Sequence, residues 1–293
     1  MVRLSFPANA LQACHDQPQF SPLALRYYFS PGESVKAVFY ITTLGRVRDQ
    51  PTFCALPPDV LRRTKLVVQH HERELYSHYG VPVVVLPPAI KRLSPTREWL
   101  AHHTDEEKMF LLDDDMTFYR RKSSTDWHLV KSTPADMSRM FGTLEEWLGT
   151  FAHVAVSPRE GNNRVEAAIS YCTRAMRLVG YRTGPYAALE PLSRLHAMSD
   201  FDATLQLLRR GYANKVSYHY AQNHGSSNAP GGCSVYRTKD LLAESARKLA
   251  ALHPEFVRLV EKETKGSWGG GTRIDVQVQW KKAYQSGLPE TLK

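Results

Sequence analysis

The chain is poor in cysteine, in long apolar runs and in net acidity. Its four cysteines, Cys14, Cys54, Cys172 and Cys233, are scattered without CxxC spacing, which excludes a disulfide framework or a zinc cluster and points to reduced thiols. The longest apolar run, VPVVVLPPAI at 81–90, is too short to cross a bilayer, and the opening MVRLSFPANALQ lacks the layout of a secretion signal. A soluble, cytoplasmic protein with no membrane partner is expected. What is present is apolar and aromatic enough, 42% and 10% of 293 residues, to exclude a disordered or fibrous chain. The net charge of +9 makes a polyanion such as DNA a natural partner.

Residues 1–34 read as an N-terminal arm and 35–293 as one α/β domain. Three short, β-branched runs, AVFYITT (37–43), KLVVQ (65–69) and PVVVL (82–86), suit strands covered on both faces. HHERELYSHYG between the last two fits a crossover helix closed by glycine. Ser94 and Pro95 are expected to cap and begin the next helix. MFLLDDDM follows as a central strand. Downstream, 134–153 reads as an amphipathic helix, HVAVS as a strand, PREGNNR as a polar loop, 201–212 as a helix and 214–222 as a strand. The stretch 165–198 mixes helix-like and strand-like spacing and resists assignment. A Gly/Ser-rich loop at 223–234 is a candidate lid. Helices near 239–252 and 254–264 and a last strand IDVQVQW complete the chain. Alternating strands and helices imply a doubly wound sheet with its ligand site beyond the strands' C-terminal ends.

Asp113, Asp114 and Asp115 therefore stand at the tip of a central strand. Three adjacent carboxylates repel one another unless a cation is shared, and hard oxygen ligands suit Mg²⁺ or Mn²⁺ bridging a diphosphate. Alternation along an extended chain puts Asp113 and Asp115 on one face, a DxD pair that can present a Lewis acid to a leaving group. Asp200 and Asp202 open the helix 201–212, where the dipole favours a carboxylate. One of them can cap the helix while the other accepts a proton.

The succession ITTLGRVRDQPTFCALP, KLVVQHHERELY, TREWL, EKMFLLDDDM and SDFDATLQLLRRGY resembles GT-A glycosyltransferases, above all the phage TET-associated glycosyltransferases, from about Val38 to Trp280. The resemblance implies a GT-A-like, Rossmann-like mixed sheet flanked by helices and a metal-dependent transferase using a nucleotide-sugar, a UDP-sugar foremost. The acceptor would be a hydroxymethylated pyrimidine in DNA, 5-hydroxymethylcytosine foremost. It sets Thr42, Gly45 and Arg46 near the nucleoside and Arg97 and Asp114 near the donor diphosphate. Asp113 and Asp115 would hold the metal together with a late histidine, His224 or His219. It makes Asp200 or Asp202 the base, although Ser199 replaces the family's usual preceding Glu. Arg159, Asn162, Asn163 and Arg164 fall on the acceptor side, and Tyr119, Trp127 and Trp268 are aromatics available for stacking on a base. Competing readings are a transferase acting on carbohydrate or protein, a non-catalytic DNA-binding module, and a divalent-metal nuclease.

Overall fold

The computed structural model describes residues 36–224, 232, 236–264 and 270–292. The expected arm, Trp268 and most of the loop 223–234 lie outside the described residues.

The three β-branched runs become β1 (Val38–Thr42), β2 (Thr64–Val68) and β3 (Val83–Val85), and MFLLD forms β4 (Lys108–Asp113). They make the parallel half of a sheet ordered β3-β2-β1-β4. Beyond β4 the sheet turns mixed. β9 (Leu178–Arg182) runs antiparallel between β4 and β7 (His153–Pro158), and β10 (Asn214–His224) lies parallel to β7. β10 shifts register between Ser217 and Ala221. Before the shift it pairs with β8 (Ile169–Tyr171), and after it with β5 (Met116–Arg121), whose other neighbour is the edge strand β6 (Leu129–Lys131).

Alternate residues of the central strands feed two apolar layers, as period-two geometry requires. Phe39, Ile41 and Phe110 pack on one face, with Phe39 and Phe110 stacked at 4.9 Å and Phe141 edge-on to Phe39, while Val38, Tyr40, Met109 and Leu111 fill the other. Each such side chain contributes roughly 1.5–3 kcal/mol on burial. Gly180 of β9 is the concession that lets the Phe110 ring lie flat on the sheet, since a Cβ there would overlap that ring.

The helices that matter for the site are α1 (Pro51–Ala55), α2 (Pro58–Leu61), α3 (Leu93–His103), α4 (Pro134–Trp147), α5 (Thr183–Ala187), α6 (Ser199–Arg209), α7 (Lys239–Leu252) and α8 (Trp280–Ser286). α4 starts in a capping box between Thr133 and Asp136 and ends at Trp147, short of the expected 153. His70–Tyr79 is a 3-10 helix closed by Gly80 at φ 67. Ser94 does not cap α3. Arg92 holds that position, accepting from Thr96 Oγ1 at 2.9 Å, and Ser94 is buried inside the first turn.

The stretch 254–264 is not helical. It is β11 (Val257–Glu263), paired antiparallel with β12 (Thr272–Val278) in a separate two-stranded sheet. Its ladder comes from across a glycine-rich connection, so local periodicity could not reveal it. Val257, Phe256, Val276 and Tyr284 join the same core as Phe39 and Phe110. No described helix is long and apolar enough to cross a membrane.

Candidate active site

Parallel register sets Thr42 opposite Asp113 at the C-terminal ends of β1 and β4. A cavity of about 380 Å³ opens there, between these ends, the start of α3, the start of α6, the end of β10 and β12.

Thr52, fully buried on α1, stitches the acidic turn into shape. Its hydroxyl donates to Asp113 O at 2.7 Å and accepts from Met116 N at 2.8 Å, while its own N–H donates to Asp114 O at 3.1 Å. The three carboxylates are not bare. Arg97 Nη2 donates to Asp113 Oδ1 at 2.7 Å, and Arg46 Nη1 donates to Asp114 and, at 3.0 Å, to Asp115 Oδ2. Burial pushes Asp113 above the ordinary carboxylate range, Arg97 opposes it, and neighbouring Asp115 adds to the rise. Burial likewise pushes Asp114 up to about 6. Asp114 Oδ2 is a buried acceptor without a partner. The turn itself presents three carboxylates to the two arginines that pair with it.

His224 lines the same cavity and pairs in register with Met116, one residue past Asp115. Burial and the Arg177 charge lower its pKa, which keeps the imidazole free to coordinate. His219 is on the same strand but outside the cavity, against Tyr220, which pairs with Arg120. The fold thus brings Asp113, Asp115 and His224 to one cavity and leaves His219 out. Among the described residues no three His, Cys, Asp or Glu converge as a ready cage.

The two candidate bases part company. Asp200 lines the cavity and accepts from Arg174 Nη2 at 3.0 Å. Asp202 is fully buried and saturated, accepting from Arg194 Nε at 2.9 Å and Nη2 at 2.6 Å, His253 Nε2 at 2.8 Å and Gln206 Nε2 at 3.2 Å. Burial raises its pKa, but His253 and Arg194 outweigh it and hold the group below the usual range. Asp202 has no access to the cavity, so it braces the fold.

Thr42 and Arg46 line the cavity. Gly45 does not. At φ 69 it turns the loop so that its N–H donates to Glu72 Oε1 at 2.8 Å. In the expected acceptor loop, Asn162 is fully buried and clamped, donating to Ser157 Oγ at 2.6 Å and accepting from Arg121 Nε at 3.2 Å, so it is unavailable to a ligand. Arg159 is exposed, with its guanidinium 4.7 Å over the Tyr119 ring, and Asn163 and Arg164 are exposed beside it. Trp127 packs under Arg121. Arg174 and Arg177, which no sequence motif marks, are on the cavity wall. Their one signal is the recurrence of arginine at 174, 177 and 182 in a stretch of mixed periodicity.

Carboxylates and guanidiniums gathered in one cavity at the C-terminal ends of parallel strands are the arrangement expected of an α/β enzyme. That enzyme is a glycosyltransferase: residues 37–232 match the TET-associated glycosyltransferases, and the chain belongs to that family. It is 21% identical over 206 residues, 65% of this chain and 71% of the relative, to the beta-glucosyl-HMC-alpha-glucosyl-transferase of Enterobacteria phage T2. Among solved structures it is similar to the mannosyltransferase PcManGT of Pyrobaculum calidifontis in complex with GDP-Man and Mn²⁺, with a TM-score of 0.49, 12% identity and coverage of 83% and 75% of the two chains. It is also similar to glucosyl-3-phosphoglycerate synthase of Mycobacterium tuberculosis in complex with Mn²⁺, UDP and phosphoglyceric acid, with a TM-score of 0.45, 11% identity and coverage of 93% and 92%.

Proposed function

We propose that this glycosyltransferase moves a sugar from a nucleotide-sugar, a UDP-sugar foremost, to the hydroxymethyl group of a modified pyrimidine in DNA, 5-hydroxymethylcytosine foremost. The observation that carries this reading is that one cavity holds both the acidic turn, Asp113 to Asp115 with Arg97, and a carboxylate set apart from it, Asp200, at the start of α6. The acceptor is argued from the name of the phage T2 relative, the excess of positive charge and the exposed Arg159 and Arg164, which suit phosphate contacts.

Asp113 and Asp115, with His224, would hold Mg²⁺ or Mn²⁺, whose charge would offset that of the departing diphosphate. The chain's own residues do the rest. Arg97 and Arg46 fix the rotamers of the acidic turn. Asp200 takes the proton of the acceptor hydroxyl, whose oxygen attacks the anomeric carbon. The sugar–phosphate bond breaks on the opposite face and its electron pair leaves with the nucleoside diphosphate, so the anomeric centre inverts.

The test is incubation with Mn²⁺, a panel of nucleotide-sugars and three DNAs, containing cytosine, 5-hydroxymethylcytosine or glucosylated 5-hydroxymethylcytosine. One sugar's mass gained on the second DNA alone supports the reading. Gain on the third alone makes an attached glucose the acceptor, as the T2 relative's name suggests for that enzyme. No gain on any DNA sinks the DNA acceptor.

A further inference from the structure

The cavity holds more positive charge than its acids can balance. Among the described residues eight Lys or Arg side chains line it against five Asp. Arg46, Arg97, Arg174 and Arg273 each pair with a carboxylate. Arg177 makes no ion pair among the described residues; its guanidinium only donates to Gln222 Oε1 at a long 3.4 Å. Arg177 is half-buried and lines the cavity, and burial lowers its pKa.

Its backbone is just as telling. Arg177 has φ 63, a conformation that a side chain with a Cβ seldom adopts. Residues kept in such a conformation gather where a site requires a particular direction of approach. Here the twist lets the Arg177 carbonyl accept from Asp113 N at 3.2 Å while the side chain turns into the cavity. The acidic turn and this guanidinium are thus fixed to each other through one backbone hydrogen bond. The Arg177 charge acts on Asp113, Glu160, His224 and Asp200, and its side chain lines the cavity that Asp113, His224 and Asp200 also line.

We infer that Arg177 is a phosphate-gripping residue of the donor site, contacting the diphosphate and neutralising the charge that builds on its leaving oxygen. This rests on the proposed nucleotide-sugar chemistry. As the bond from the anomeric carbon to that oxygen breaks, the oxygen takes the electron pair. The guanidinium donates to that oxygen as its charge builds. A phosphodiester of the acceptor offers the same chemistry. The donor is favoured because the Arg177 carbonyl is bonded to Asp113 N and because Asp113 acts on the guanidinium more strongly than Glu160 of the 159–164 segment does.

Calorimetric titration of UDP, GDP, CDP, dTDP and ADP, with and without Mn²⁺, tests this in the full chain and in Arg177→Gln and Arg177→Gly. Glycine accepts φ 63 freely, so the second variant keeps the fold even if the first does not. In EDTA both variants are expected to bind the preferred diphosphate about 10- to 100-fold more weakly, the scale of one charge-assisted hydrogen bond. The matching nucleoside and a hydroxymethylated duplex should bind as before. Unchanged diphosphate affinity overturns the inference, and so does equal loss of the nucleoside. Loss of duplex affinity instead would give Arg177 to the acceptor and overturn it equally. A wild-type chain that binds none of the diphosphates even with Mn²⁺ overturns the donor reading itself, and the inference with it.

Discussion

Asp200 and Asp202 are two residues apart and both acidic, yet the structure makes them respond to the same substitution in opposite ways. Asp202→Asn removes the charge from a buried group that takes four hydrogen bonds, two of them from Arg194 and one from His253. The amide cannot accept from all of these donors, and Arg194 is left with an uncompensated charge. Breaking a buried pair in this way costs about 3–5 kcal/mol, a fall in Tm on the order of 10 °C for a chain of this size. Asp200→Asn breaks one partly exposed pair, with the Arg174 side chain 38% accessible, worth about 0–1 kcal/mol, so Tm should barely move. Transfer should behave inversely. The Asp200 variant is expected to lose roughly 10²–10⁴ in kcat, while the Asp202 variant, assayed well below its Tm, keeps kcat within a few-fold. Thermal unfolding by circular dichroism and sugar transfer to hydroxymethylated DNA at saturating donor measure the two sides. An Asp202 variant with unchanged Tm and abolished kcat would refute the assignment, as would a fully active Asp200 variant.

His153, fully buried with neither ring nitrogen partnered, has its pKa lowered to about 3 by burial. The unfolded chain takes up its proton near 6.5 and the folded chain does not, so stability falls as pH drops below that value, by about 2 kcal/mol at pH 5. Urea unfolding at pH 8 and pH 5 should show this loss in the wild type and not in His153→Leu; an identical loss in both would remove the explanation. His224→Ala is expected to weaken Mn²⁺-dependent binding of a nucleoside diphosphate by about 10-fold or more, whereas His219→Ala should leave it unchanged, and the reverse pattern would exchange their roles. Gly180→Ala should destabilise by about 1–3 kcal/mol, because the new methyl overlaps Phe110; equilibrium unfolding at the wild-type midpoint would reveal an error.

The β-branched runs and the acidic tip of β4 were legible because both signals are local: apolar periodicity, and carboxylates at a strand end. The choice between Asp200 and Asp202 could have been narrowed further. A spacing of two turns a helix by about 200°, so a cavity on one side and a core on the other can each take one. Which faced which depended on Arg194 and His253, residues outside the motif. The stretch 165–198 defeated pattern reading for a physical reason. It contains two short strands, a one-turn helix and all three non-glycine residues with positive φ among those described, Cys172, Arg177 and Met198, conformations that no residue-type preference announces. Arg174 and Arg177 were missed with it. The strand β11 was misread because its partner lies beyond a glycine-rich connection.

The contact between His253 and Asp202 also bears on where this polypeptide can be cut. The match to the family spans residues 37–232, yet His253 belongs to the segment beyond that boundary, and its Nδ1 accepts from Arg209 at 3.1 Å as its Nε2 donates to Asp202. Leu249, Phe256, Val276 and Tyr284 fill the same core as the strands of the sheet. A chain truncated at the family boundary would expose that apolar surface and strip a donor from a buried carboxylate. The described residues beyond 232 thus act as a keystone, closing the core of the matched segment from outside it.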